Sequence, residues 1–145
     1  MINTALIQDR LTLMTGYLSK LEGLSTTPLE EFVADDIKSA AAESYVRRSL
    51  EAAFDIGRHL LAKSGRVELA SEYKSIARGL AELGVVDQDL GSTLVQMAGY
   101  RNRLVHLCHL VSVEELYTIL DKNLDDIRKF IRQVRDFVGE STGGR

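Results

Sequence analysis

The sequence predicts an all-α fold, an up-and-down helical bundle. Long segments repeat apolar residues at steps of three and four, the period of a half-buried helix, and no run alternates apolar and polar residues for long. Pro28 is the only proline. Short connections between long helices make successive helices antiparallel neighbours. With 145 residues the chain can bury one sizeable core. We place a single domain at 1–138 and a flexible tail, "GESTGGR", at 139–145.

The first helix is expected from about Asn3 to Glu22, with Leu6, Leu13, Tyr17 and Leu21 or Leu24 inward and Gly23 ending it. "TPLE" at 27–30 predicts a helix start: Thr27 as cap, Pro28 at the first helical position, and Glu30 completing a capping box. That short helix ends near Ala34. A long helix follows from about Asp36 to Lys63, with Val46, Leu50, Ala53, Gly57, Leu60 and Leu61 as its stripe. Ala53 and Gly57 are small enough to admit a second helix closely. Residues 64–71 form a loop, and "EYKSIARGLAEL" a helix that stops at Gly84. Asp87 caps the next helix, which turns Leu90, Leu94, Met97 and Leu104 inward. Ser112 and Glu115 make a second capping box. They open one last helix with the stripe Leu116, Ile119, Asn123, Ile127, Phe130, Val134 and Phe137.

Composition narrows the function classes. Apolar residues make up 45% and charged residues 27%, ordinary values for a soluble globular chain. No basic segment followed by an apolar run opens the chain, and no stretch approaches the roughly 18 apolar residues that span a bilayer. The expected location is therefore the cytoplasm, with no membrane partner. Cys108 is the only cysteine, which excludes an internal disulfide and argues against a cysteine-based zinc site. A net charge of -3 gives no positive field for bulk nucleic-acid binding, so contact with RNA would need a local basic cleft.

"YRNRLVHLCH" at 100–109 gathers two arginines, an asparagine and two histidines. One reading is a helix end whose cations favour the negative pole of the helix dipole; the other is a site. At about 100° per residue, Asn102 and His106 share a face and Arg103 neighbours His106, whereas Arg101 and His106 stand about 140° apart. Arg101 reaches His106 only by its long side chain, a break in the helix, or a second copy of the chain. Elsewhere, His59 in "GRHLL" reads as structural or partly exposed. Glu43, Glu51 and Asp55 read as a solvated face, with Asp55 closest to inward residues. Arg128, Arg132 and Arg135 form a stripe expected to pair with Asp125 and Asp136. His106 and His109 without a carboxylate at ligand spacing make a poor metal site.

"RNRLVH" carries the arginine, four residues, histidine signature of the HEPN superfamily. "EYKSIARGLAELGVVDQDLGSTLVQMAGYRNRLVH" resembles the HepT-like toxin family throughout, and "SLEAAFDIGRHLLAKSG" at 49–65 resembles that family's long second helix. The resemblance spans about 37–138 and implies a HEPN-like bundle that forms a homodimer. It also implies a metal-independent endoribonuclease with no cofactor, acting as a toxin beside a nucleotidyltransferase-like antitoxin. Carried over by position, Arg101 and His106 are the catalytic pair and Asn102 the polar residue between them. Arg103 adds charge as a second substrate contact. RNA brings its own nucleophile, the 2′-hydroxyl. A histidine moves protons near neutral pH, and an arginine holds a phosphate bidentately. The pattern breaks at Cys108, where the family's signature has the tyrosine that receives AMP. A thiol is not an equivalent acceptor, so the modified residue stays unassigned. The alternative function is a non-catalytic nucleotide- or RNA-binding HEPN module that pairs with a nucleotidyltransferase.

Overall fold

The computed structural model describes residues 2–106 and 111–143, and these form helices with no strand. Helix α1 (Thr4–Ser25) is capped by Asn3, whose side chain accepts from the backbone N–H of Leu6 at 3.1 Å. It runs past Gly23, so that glycine does not end it. Its buried residues are Ile7, Leu11, Met14, Leu18 and Leu21, a stripe rotated one residue from the expected one. Leu13 is exposed, and Tyr17 lies at the edge of the face, its ring 5.9 Å from that of Tyr45. Both stripes are periodic, and only the position of the next helix selects between them.

Helix α2 (Leu29–Ala34) starts one residue later than the capping-box reading allows. Pro28 takes the cap position and no side chain caps the helix. Thr27 is buried instead, and its carbonyl accepts from the Tyr117 hydroxyl at 2.6 Å. Helix α3 (Asp36–Lys63) is capped by Asp35, which accepts from the N–H groups of Ile37 and Lys38. All six residues of its expected stripe are buried.

Helix α3 runs antiparallel to α1. The N–H of Asn3 donates to His59 at 2.9 Å, Arg10 reaches Asp55 at 3.3 Å, and Tyr17 meets Tyr45, so α1 ascends as α3 descends. A 3-10 turn at Val67–Leu69 within the expected loop leads to α4 (Tyr73–Leu83). Gly84 closes α4 at φ +84°, a left-handed conformation that glycine adopts without steric cost.

Close approach of α3, α4 and α5 (Gln88–His106) depends on glycines. A Cβ at Gly57 would lie 2.5 Å from Ile76, and one at Gly91 would lie 2.7 Å from the Cβ of Ala81. Asp87 caps α5 as expected: its carboxylate accepts from Leu90 N–H at 2.7 Å and from the Gln133 amide at 2.9 Å, while its own N–H donates back to Gln133.

The expected last helix is two helices, α6 (Val113–Lys122) and α7 (Leu124–Gly143). Asn123 separates them. Its side-chain amide donates to the Asp126 carboxylate at 3.0 Å, and its carbonyl accepts from the Asp126 N–H at 3.2 Å, so the break is bridged by local bonds. The apolar stripe keeps its phase across the break, with Leu116, Ile119, Ile127, Phe130 and Val134 buried. Helix α7 lies along α1, where Arg128 pairs with Glu22. Residues 139–143, expected in the tail, continue α7 as helix.

Candidate active site

Three buried residues, Met97, Ala98 and Leu104, pin the last part of α5 to the core. The polar residues between and after them are left at its rim. Arg101, Asn102 and Arg103 are half-buried and His106, the last residue of α5, is exposed.

The Arg101 side chain keeps only 14% of its surface exposed. Its guanidinium carbon lies over the Tyr73 ring, 4.2 Å from the centroid. Its Nη2 donates to Glu51 at 3.4 Å, and its Nε is buried without a partner among the described residues. Tyr73 is the first residue of α4. Its ring packs on Phe54 with centroids 5.0 Å apart, and a second guanidinium, that of Arg58, lies 5.6 Å from it. Glu51 also takes Arg47 at 3.4 Å, and Arg58 reaches Asp55 at 3.4 Å and the Ala70 carbonyl at 3.1 Å. Thus Glu51 and Asp55, expected as solvated charges, are each shared between two arginines. For Asp55 these are Arg58 and Arg10.

Arg103 is oriented differently. Both of its terminal nitrogens bind Glu115 at 2.7 Å, and its guanidinium carbon lies 5.7 Å from the Tyr100 ring centroid. Hydrogen bonding to Glu115 raises its pKa further. Glu115 therefore departs from the expected capping box. Its N–H donates to the Ser112 hydroxyl oxygen at 3.0 Å, but its carboxylate accepts from Arg103 on α5.

No hydrogen bond or ion pair joins Arg101 to His106 among the described residues. Arg101 turns toward α3 and α4 while His106 ends α5, the separation that 140° of helix imposes. Cys108 and His109 lie outside the described residues. His59 is half-buried and accepts the Asn3 N–H. Burial, followed by nearby Lys63 and the chain's amino terminus, lowers its pKa. Of the stripe on α7, Arg128 pairs with Glu22 and Asp125, as expected for Asp125. Arg132 and Arg135 form no ion pair among the described residues. They line a groove of about 290 Å³ with Leu18, Ile131 and Asp136. Among the described residues no three metal-ligating side chains converge.

Residues 14–134 match the family described as Ribonuclease HepT-like. The chain belongs to the HepT-like ribonuclease family. Relatives of this HepT-like chain include the tRNA nuclease HepT of Aphanizomenon flos-aquae, 21% identical over 137 residues, 94% of this chain and 92% of the relative. A provisionally named RNase of Archaeoglobus fulgidus is 31% identical over 123 residues, 83% of this chain and 91% of its own length. Two solved structures share the fold at 19% identity. The cytosolic protein of unknown function YutE from Bacillus subtilis superposes with a TM-score of 0.82, covering 98% of this chain and 94% of that one. A tri-AMPylated HEPN toxin of Shewanella oneidensis, in complex with its MNT antitoxin, gives 0.79 over 90% and 97%.

In this HepT-like chain the residues that sequence reasoning missed are Tyr73 and Glu51. Tyr73 is the second residue of the stretch that carries the resemblance, but its spacing from Arg101 says nothing of contact. Only the packing of α4 and α3 against α5 brings the three together.

Proposed function

We propose that this chain is a metal-independent endoribonuclease that cuts tRNA or a related structured RNA. It is the toxin of a pair whose antitoxin is a nucleotidyltransferase-like protein. The carrying observation is the paired placement of a confined arginine, Arg101, and an exposed histidine, His106, on the last turns of α5 in a HepT-like chain. The name of the Aphanizomenon relative supports tRNA as the substrate class. The Shewanella complex supports the type of partner.

In the proposed reaction the RNA 2′-oxygen attacks the adjacent phosphorus and the bond to the 5′-oxygen breaks. The products are a 2′,3′-cyclic phosphate and a 5′-hydroxyl. His106 moves the proton, as base for the 2′-hydroxyl or acid for the leaving oxygen. Arg101 stabilises the added charge on the phosphoryl oxygens. Asn102 and Arg103 contact the substrate beside them. Because Arg101 and His106 diverge on one helix, a homodimer completes the site: two copies of α5 line one cleft, so that each pair is assembled across the interface. Cys108 stands where the resemblance places an AMP-accepting tyrosine, so the antitoxin acts here either by modifying another residue, with Tyr100 nearby in sequence, or by binding alone.

The test is cleavage of end-labelled tRNA by purified protein in EDTA. The wild type should yield fragments ending in a cyclic phosphate, and Arg101→Ala and His106→Ala should each abolish them while the far-UV spectrum stays helical. Wild-type rates in both variants would overturn the mechanism. Nucleotide binding with intact RNA would favour the non-catalytic module.

A further inference from the structure

We propose that Tyr73 is a positioning residue for Arg101, holding the guanidinium in one orientation at the cleft; this rests on the reading of Arg101 as catalytic. An arginine side chain has many rotamers, and a catalytic one must be held near its productive geometry before substrate arrives. Here the restraint comes from the ring face of Tyr73, 4.2 Å from the Arg101 guanidinium carbon. A cation over an aromatic face is attracted by the ring's negative quadrupole, most strongly where water is excluded. Arg101 is largely withdrawn from water, as that condition requires.

The platform is itself immobilised. Phe54 packs against the Tyr73 ring from the core of α3. Arg58 lies near the same ring and also ties down the Ala70 carbonyl, just ahead of α4. Two guanidinium groups at one ring would repel each other. Two carboxylates a helical turn apart on α3 offset this, Glu51 bonding Arg101 and Asp55 bonding Arg58. The Glu51 bond is long at 3.4 Å and shared with Arg47, so it is a loose tether that an incoming phosphate can replace. The ring contact is the closer one for Arg101, at 4.2 Å against 5.6 Å for Arg58. It can persist when the substrate takes the guanidinium's N–H groups, because the ring uses the face and the phosphate uses the edge.

The role belongs to the aromatic face, so Tyr73→Phe and Tyr73→Leu separate it from a general packing role. Steady-state cleavage of labelled tRNA is measured for wild type, Tyr73→Phe, Tyr73→Leu and Arg101→Ala. We expect Tyr73→Leu to lose kcat by about 10- to 100-fold with KM unchanged, the signature of a misplaced group, and Tyr73→Phe to restore it. In parallel, side-chain NMR of the wild type should show Arg101 protons shifted upfield by the ring, assigned by their absence in Arg101→Ala. Full kcat in Tyr73→Leu while Arg101→Ala is inactive overturns this inference and leaves the site reading standing. So does an equal loss in Tyr73→Phe and Tyr73→Leu. Unshifted Arg101 protons in the wild type overturn it even if Tyr73→Leu fails to fold. Activity in Arg101→Ala overturns the site reading and this inference with it.

Discussion

Arg103 on α5 grips Glu115 on α6 with two parallel bonds of 2.7 Å. This fork-to-fork geometry is the strongest form of an arginine–carboxylate contact. It joins the helices on either side of residues 107–110 and neutralises a cation three residues from His106. For RNA binding, the Glu115 charge offsets part of what Arg103 offers a phosphate. Glu115→Ala should therefore strengthen the Arg103 contact and steepen the salt dependence of tRNA binding, the slope of log K against log salt growing by up to roughly 0.7–0.9, the value of one full phosphate contact. An unchanged slope in filter binding across a salt series would show that Arg103 does not face the RNA.

Gly57 lets α4 sit directly on α3. A methyl group there would meet Ile76 Cγ2 at 2.5 Å, inside any real contact distance. Gly57→Ala should thus destabilise the fold by about 1–3 kcal/mol through overpacking. Because the tightest clash is with Ile76, Leu80 Cδ1 standing farther off at 3.0 Å, combining it with Ile76→Ala should cost less than the sum of the two single changes. Urea denaturation of the four proteins measures this, and simple additivity would place the strain elsewhere.

The hydroxyl of Tyr117 ties α6 to the chain before α2 through the Thr27 carbonyl at 2.6 Å. Phe32 packs on the same ring with centroids 5.2 Å apart. Tyr117→Phe keeps the ring contact and removes only the bond, so the expected loss is about 0.5–1.5 kcal/mol. A thermal melt at Tm equal to wild type would mean that water replaces the hydroxyl without loss.

Stability should depend on pH through His59 and Asp87. His59 accepts the Asn3 N–H as a neutral ring, and burial lowers its pKa below 6.5. The unfolded chain then takes up the proton first. Stability contributed here is complete above pH 6.5 and is lost as pH falls from there through the folded value. His59→Gln should flatten the decline between neutrality and mild acid, and a parallel pH profile in chemical denaturation would count against the assignment. Asp87 acts in a lower window. The Leu90 N–H, then Gln133, depresses its pKa below 3.8, so its contribution is present above 3.8 and lost as pH falls through the folded value. Gln133→Leu should shrink that acid-limb loss.

Much of the bundle was legible because helix periodicity and caps are local. The stripe Val46 to Leu61, the Asp87 cap and the Gly84 stop all depend on residues within a turn or two of one another. The same locality explains the errors. The face of α1 was misplaced by one residue because two adjacent stripes are both apolar enough to bury. The α6–α7 break was missed because Asn123 sits in an unbroken period, and only the backbone, helical to Lys122 and again from Leu124, shows the interruption.

The sequence by itself determined the all-α class, the family resemblance and the two residues that carry its signature, since each is written in short-range spacing. Tertiary structure decided the surroundings of those residues. It set Arg101 on Tyr73 and Glu51, Arg103 on Glu115, and left His106 exposed. Those contacts join three pairs of helices. For Arg101, Gly57 and Gly91 set how closely α3, α4 and α5 approach, a distance that no single helix encodes.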